Sequence, residues 1–376
     1  MDLTRPLERL LSVRVWGLLA LIANIGIIVT GAVVRLTGSG LGCPTWPQCT
    51  DASYFPHPEL GIYGVIEFGN RLLTFVLSVV VIGLALSAFA LRDERHPRGR
   101  LRRLALLLTI GIPVLAVGLI TMVASDYHPA AVIGVALSYL IIVVVSLWLT
   151  REAASGADDV ARNALLQRLG LLIALGIPGQ AVVGGFTVLS DLNPYVVAVH
   201  LIISFGLVAM STWFLRTARR TVRTPSSGRG HLLARLTAVS LVLVLWLGTV
   251  VTGSGPHSGD ENAHRTGLDP QLMSHVHAIA VYLALALTVA TLWVTRSRAA
   301  LLLLIIELAQ GLIGFIQYFN GLPIAVVAAH LLGSGLVVAA GTNLMWHIAP
   351  SRRSDKTASQ RRPDTRTDVD RAPLPN

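Results

Sequence analysis

Charge is what this chain has least of. Only 13% of its residues are Asp, Glu, Lys or Arg, about half the usual globular share, while 53% are hydrophobic. Disorder needs the opposite balance, so it is excluded for most of the length. A soluble domain of this composition would expose apolar patches large enough to precipitate it. Cysteine is nearly absent too. Two in 376 residues exclude a disulfide-rich scaffold and a zinc site of four thiolates. Methionine, at five, is too scattered to line a copper site. What remains is an all-α polytopic membrane protein.

Long apolar runs are what the chain has in abundance. Crossing about 30 Å of hydrocarbon takes roughly 20 residues. Ten stretches suffice, at 15–36, 62–91, 104–124, 130–150, 168–189, 195–216, 233–253, 274–295, 299–319 and 323–346. Each must be a helix, because an isolated strand leaves its backbone unsatisfied in lipid. The first is too long for a cleaved signal peptide and has no small-residue cleavage site after it.

The net charge of +10 sits in short segments between the runs. The N-terminus (Arg5, Arg9, Arg14), the 92–103, 151–168 and 216–235 loops, Arg296 and Arg298, and the tail all fall on one side. By the positive-inside rule this places both termini in the cytoplasm, and it argues against a nucleic-acid partner. The linker Ala153–Asp159 and the Arg- and Pro-rich tail read as disordered. The expected organisation is a cytoplasmic N-terminus (1–14), a first helical unit (15–216), a linker (217–232), a four-helix unit (233–346) and a tail (347–376).

Internal similarity supports paired units. A shift of 65 residues lays Leu104–Val143 on Leu169–Val208 without a gap, with His200 matched by Val135. The hairpin 104–150 is therefore an inserted duplicate. Between the halves, Gln180 precedes His200 by twenty residues and Gln310 precedes His330 by twenty, each His following a Pro that opens its helix. Val29-Thr30-Gly31 matches Val251-Thr252-Gly253, and Asn70 and His277 lie at comparable depth. Two four-helix bundles of similar build follow, plus the extra hairpin.

Ionisable groups inside a bilayer are costly and are functional candidates by default. The set is Glu67, Arg71, His200, His275, His277, Glu307 and His330. The histidines fall within about two turns of the same membrane face. They are either unrelated core groups bonded to backbone or a shared ligand set. Zinc wants four close ligands; haem needs only one or two axial imidazoles and a broad apolar slot. Haem fits this pattern best, with His277 and His330 as a pair. Glu67, Asn70 and Arg71 share a helix face. Glu67 and Arg71 form either a buried ion pair, or a propionate-binding cation beside a carboxylate that moves protons. Cys43 and Cys49 share one short outer loop and are expected to be oxidised there, as a structural disulfide or a redox-active pair. Glu307 has no partner legible in the sequence.

Gly38-Ser39-Gly40-Leu41-Gly42-Cys43-Pro44 with Cys49, Ile66-Glu67-Phe68-Gly69-Asn70-Arg71-Leu72, Asn193-Pro194-Tyr195-Val196-Val197-Ala198-Val199-His200, and Gln317-Tyr318-Phe319 leading to His330 together resemble the haem A synthase family. The resemblance covers nearly all the membrane region except 104–150. It implies a pair of four-helix bundles that oxidise the C8 methyl of haem O to a formyl group, giving haem A for cytochrome oxidase. It also implies substrate haem O in the first unit near His200, Asn70 and Arg71, and a haem b cofactor, with its iron, held by His277 and His330 in the second. Glu67 matches the carboxylate tied to activity, and the cysteines match an outer-loop disulfide of some members. A haem O synthase is the implied source of substrate, and the electron donor is unidentified. Two departures stand out. Many members carry His where this chain has Asn70, so His200 alone is expected to ligate the substrate iron, and ten spans exceed the usual eight. The rivals are a haem-b electron-transfer subunit, which needs the same histidines but not Glu67; a thiol–quinone reductase, which lacks a second cysteine pair; and a transporter, for which no interrupted helices are seen.

Overall fold

A computed structural model describes residues 12–91, 129–149, 158–220, 224–261 and 263–350. The expected span at 104–124 and the tail beyond 350 lie outside them. Nine long helices run through the described residues: α1 (Val13–Leu36), α2 (Gly61–Phe89), α3 (Pro129–Leu149), α4 (Asp158–Leu189), α5 (Pro194–Ala218), α6 (Gly228–Ser254), α7 (Pro270–Thr295), α8 (Arg298–Phe319) and α9 (Ile324–His347). All except α3 meet a length and hydropathy test for crossing a membrane, and α3 is a 21-residue helix with no charged side chain. The protein is an all-α polytopic membrane protein.

Local chemistry sets the helix ends. Ser12, Asn193, Ser227, Asp269 and Ser297 cap α1, α5, α6, α7 and α8 through side-chain oxygens, each satisfying an orphan first-turn N–H. Proline at the first position of α5 and α7 costs no helical bond. Several boundaries differ from the sequence expectation, with α6 and α7 starting five and four residues early at Gly228 and Pro270. Helix α4 begins at Asp158, ten residues before the apolar run, because the intervening turns carry Ala, Leu and Asn with no breaker. The segment expected as a plain linker contains a strand, β1 (Thr224–Ser226), paired in parallel with β2 (Ile348–Pro350) at the start of the expected tail.

Helices α1, α2, α4 and α5 close one ring and α6, α7, α8 and α9 another, each helix touching its two ring neighbours. The rings meet where α9 packs on α1 and α5, and α5 on α6. Helix α3 lies outside the first ring against α4, where the Tyr139 hydroxyl donates to the Leu175 carbonyl across Gly179. Val81, Leu84, Leu166, Ile173 and Phe214 anchor the first core; Ala300, Leu303 and Leu344 anchor the second. Ile28, Phe205, Val208 and Val338 seal the seam. Asn24 crosses from α1 to α5 by donating to Ser211 Oγ (3.3 Å).

The loop holding Cys43 and Cys49, which form a disulfide, marks one end of the molecule. No buried residue of these core clusters lies in the two helical turns nearest that end. At the opposite end, arginines serve as C-terminal caps: Arg14 and Arg162 donate to the Ala218 and Thr217 carbonyls of α5. The rings close tightly here. A Cβ on Gly83 of α2 would stand 2.4 Å from the Trp16 ring of α1. Gly83→Val is expected to overpack this contact and cost about 1–3 kcal/mol, read as a lowered thermal midpoint in detergent; an unchanged midpoint would show that the ring yields freely.

Candidate functional site

His200, His277 and His330 lie six or seven residues inside α5, α7 and α9, all counted from the disulfide end. At 1.5 Å per residue that is about 9–11 Å of depth, so the three imidazoles share a level. Each ring sits against a glycine of a neighbouring helix. A Cβ on Gly184 of α4 would be 3.2 Å from His200 Cε1, one on Gly248 of α6 would be 3.4 Å from His277 Cε1, and one on Gly314 of α8 would be 3.7 Å from His330 Cε1. The backbone repeat is just as regular: Gln180 Nε2 donates to the His200 carbonyl and Gln310 Nε2 to the His330 carbonyl, both at 2.9 Å. His277 is close enough to His330 for the two to interact electrostatically.

All three histidines leave Nδ1 buried without a hydrogen-bond partner. Such a group costs roughly 1–3 kcal/mol of desolvation if nothing answers it. Imidazoles seated on glycine, at one depth, away from the tight cores, are what axial ligation of a flat apolar macrocycle requires. No group of three or more His, Cys, Asp or Glu side chains among the described residues gathers closely enough to hold a bare metal ion. Buried imidazoles of this kind, with unpartnered ring nitrogens, are compatible with haem ligation.

In the first ring the position facing His200 is different. Thr30 Oγ1 of α1 donates to Asn70 Oδ1 at 2.7 Å. Matching Thr30 with Thr252 pairs Gly26 with Gly248, yet nothing stands within 4 Å of a Cβ on Gly26. The repeat thus keeps a glycine at position 26, and the position that matches His277 carries the shorter amide of Asn70. A lateral pocket opens between α4 and α5, lined by Val183, Phe186, Leu189, Ser190 and Val196, the last one turn from His200.

Glu67 and Arg71 do pair, Arg71 Nη2 to Glu67 Oε1 at 2.5 Å, and together they hold the disulfide loop. Glu67 Oε2 accepts from the Cys43 backbone N–H at 2.6 Å. Arg71 donates to the carbonyls of Gln48, Cys43 and Thr45 at 3.0–3.1 Å. Of the five guanidinium protons, one on Nη1 is left without a protein acceptor by these contacts. The loop then reaches α4, where the Trp46 ring lies against Gly185, next to the glycine that seats His200.

The comparisons with known proteins agree in direction. Residues 14–61 and 130–257 match the sequence model of a family described as cytochrome oxidase assembly protein. The chain is 34% identical over 71 residues to the heme A synthase of Bacillus licheniformis, covering 19% of this chain and 22% of that one. It is 28% identical over 136 residues to the heme A synthase of Listeria welshimeri, covering 36% and 44%. A third, from Bacillus pumilus, is 38% identical over 60 residues, covering 16% and 19%. In both comparisons the chain is similar to the haem A synthase family. It spans less than half the length of these curated relatives, and no solved structure matches it. The family match includes Cys43, Cys49 and His200 and stops short of Glu67, Asn70, Arg71, His277 and His330.

Sequence reasoning missed several residues around this site. Arg35, in the last turn of α1, donates to the His257 and Thr252 carbonyls at 2.7 and 2.6 Å and so ties the rings together. Its signal was a basic residue on the face otherwise poor in them. The glycines were also missed, although Gly184 precedes His200 by sixteen residues just as Gly314 precedes His330. His275 does not join the other three; it is exposed and faces Tyr318, ring centres 6.1 Å apart. Because Glu67 and Arg71 hold one loop jointly, Glu67→Gln and Arg71→Met are expected to be non-additive by about 0.5–3 kcal/mol in a thermal double-mutant cycle; additive losses would show that the loop is held without the pair.

Proposed function

We propose that the protein is a haem A synthase, an oxidoreductase of the bacterial cell membrane that oxidises the C8 methyl of haem O to a formyl group and so supplies haem A for cytochrome oxidase. In this reading both termini face the cytoplasm and the disulfide end faces outward. The first unit, 15–216, receives haem O from a haem O synthase, and the second, 233–346, keeps a haem b. The observation that carries the reading is the trio of imidazoles at one depth, each seated on a glycine with Nδ1 unanswered, in a chain whose relatives are named heme A synthases.

Each residue then has a task. His277 and His330 would hold the haem b, and His200 the substrate haem. Asn70, tethered by Thr30, would supply no second imidazole to the substrate. Bound haem contributes the electron and oxygen chemistry that attack on a methyl group demands, which side chains do not provide. Arg71 offers its remaining Nη1 proton to a propionate. Glu67 is the carboxylate that exchanges protons beside the substrate, and it must loosen from Arg71 or the Cys43 N–H to do so. The Cys43–Cys49 disulfide keeps these two residues and Trp46 in one frame. Electrons arrive from a donor outside the chain.

Co-expression with a haem O source, followed by haem extraction and mass spectrometry, tests the reading. Haem A is expected from the native chain and only haem O from His200→Ala. Haems B and O alone from a native chain with full Soret absorbance would instead establish the electron-transfer rival. Asn70→His is expected to turn the first-unit haem into a six-coordinate bis-imidazole species by resonance Raman. Finding that species already in the native chain would overturn the single-histidine assignment.

A further inference from the structure

The task assignments above leave one buried ionisable residue unused. Glu307 lies in the middle of α8, 6% exposed. Its Oε1 accepts from Thr288 Oγ1 of α7 at 3.0 Å, and its Oε2 is buried with no partner. Among the described residues of the helices packed around it, no charged group opposes it. α7 carries His275 and His277 alone, both near the disulfide end; α6 has no acidic or basic side chain after Arg235; α9 has only His330 and His347; α8 itself adds only Arg298. A carboxylate without a counter-ion in hydrocarbon is retained at a cost, so a role is called for.

Its surroundings form a polar line through an otherwise apolar ring. Thr288, Thr291 and Thr295 fall on one face of α7, spaced three and four residues apart. Thr295 is half-exposed at the end of α7 opposite the histidines, and its Oγ1 donates to the Thr291 carbonyl at 2.6 Å. Thr291 and Thr237 of α6, both fully buried, share a hydroxyl–hydroxyl bond of 3.0 Å, and Ser240 stands one turn beyond Thr237. On the other side of Glu307, one turn along α8, Gln310 leaves Oε1 unpartnered while its amide donates to the His330 carbonyl. Gly314, which seats the His330 ring, is two turns from Glu307, about 10 Å along the helix.

We propose that Glu307 is the proton-loading site of the second ring, filled through the Thr295–Thr291–Thr288 face when the haem held by His277 and His330 is reduced. The proposal rests on the haem reading above. One electron from a one-electron reductant converts ferric to ferrous haem, and one proton from the aqueous phase at the Thr295 end converts the Glu307 carboxylate to the acid; oxidation reverses both. The coupling is electrostatic. One unit of charge on the order of 10 Å from a carboxylate, at an effective dielectric constant near 20, changes its proton affinity on the order of tenfold, and the His330 seat at Gly314 lies within that range of Glu307 along α8. Thr288 suits either state, since its hydroxyl donates to a carboxylate and accepts from the acid.

The test is a spectroelectrochemical titration of the purified full-length protein, following the second-ring haem bands from pH 6 to pH 8 with a chemical reductant. Carboxyl infrared difference spectra are taken in H2O and D2O on the same samples. The native chain is expected to show a midpoint potential that falls as pH rises and a deuterium-sensitive protonated-carboxyl band on reduction. Glu307→Gln, which keeps the Thr288 contact, should lose both signals while retaining the Soret band. Thr288→Val should retain the band but slow its appearance at least severalfold. A pH-independent potential in the native chain with the haem bound would overturn the proposal and leave the haem reading standing. A carboxyl band that survives in Glu307→Gln would also overturn it. A chain with no Soret absorbance would remove both readings.

Discussion

A ring as wide as imidazole enters a four-helix bundle at helix-contact distance only where the facing helix gives up its side chain. Helix axes in packed bundles stand 8–10 Å apart; an alanine in place of Gly184 would crowd His200 at 3.2 Å, and a side chain larger than alanine at Gly248 or Gly314 would meet His277 or His330, which a Cβ there would only touch, at 3.4 and 3.7 Å. Three histidines here meet three glycines, Gly184, Gly248 and Gly314, and the rest of the site follows from those pairings. In α8 a one-residue slip in either direction would put Ile313 or Phe315 in the place of Gly314. The three pairings lie at the disulfide end, away from the tightly packed core clusters. The glycines lose backbone entropy relative to alanine, about 1 kcal/mol each, and what they permit is local access to a buried nitrogen.

The disulfide end is held together by its loops. Leu192, with a left-handed φ of 57°, sits buried between Gly40 and Gly259, whose backbones are linked by a 2.8 Å hydrogen bond. Arg35 anchors the same junction to α6 and the 255–269 loop, and His257 shares a 3.0 Å bond with the Leu322 carbonyl. Glu67 and Arg71 do the equivalent for the Cys43–Cys49 loop. These contacts are almost all side chain to backbone. That suits a loop bordering a membrane, where carbonyls without water must find a donor inside the protein. An ion pair such as Glu67–Arg71 recovers little net stability by itself; its value here is that it fixes three loop carbonyls and one loop N–H at once.

The two rings are alike in framework and different in content. Gln180 and Gln310 make the same bond, Gly184 and Gly314 hold the same place, and Thr30 matches Thr252. Where the second ring has His277, however, the first has Asn70 bonded to Thr30. The second ring in turn carries Glu307 and its threonines, and the described residues of the first ring place no acidic side chain in mid-helix beside such a threonine face. A duplicated scaffold has been given two environments by a handful of side chains.

Much of this was legible in advance. Apolar run lengths, set by bilayer thickness, identified every helix among the described residues to within a few positions, apart from the early starts of α4, α6 and α7. The Gln–His spacing exposed the paired bundles because repeats preserve spacing. The sequence alone thus determined the membrane class, the helices, the shared depth of His200, His277 and His330 and the loop position of the cysteines, all properties of distance along a chain in a slab of known thickness. Which residues touch across helices was decided only by the tertiary structure: the glycine beneath each imidazole, the Thr30 bond that claims Asn70, Arg71 turned toward loop carbonyls, Arg35 spanning two rings, Thr288 beside Glu307. The physical reason is that helix rotation and packing distance are set jointly by all neighbours, and no single stretch of sequence carries that information.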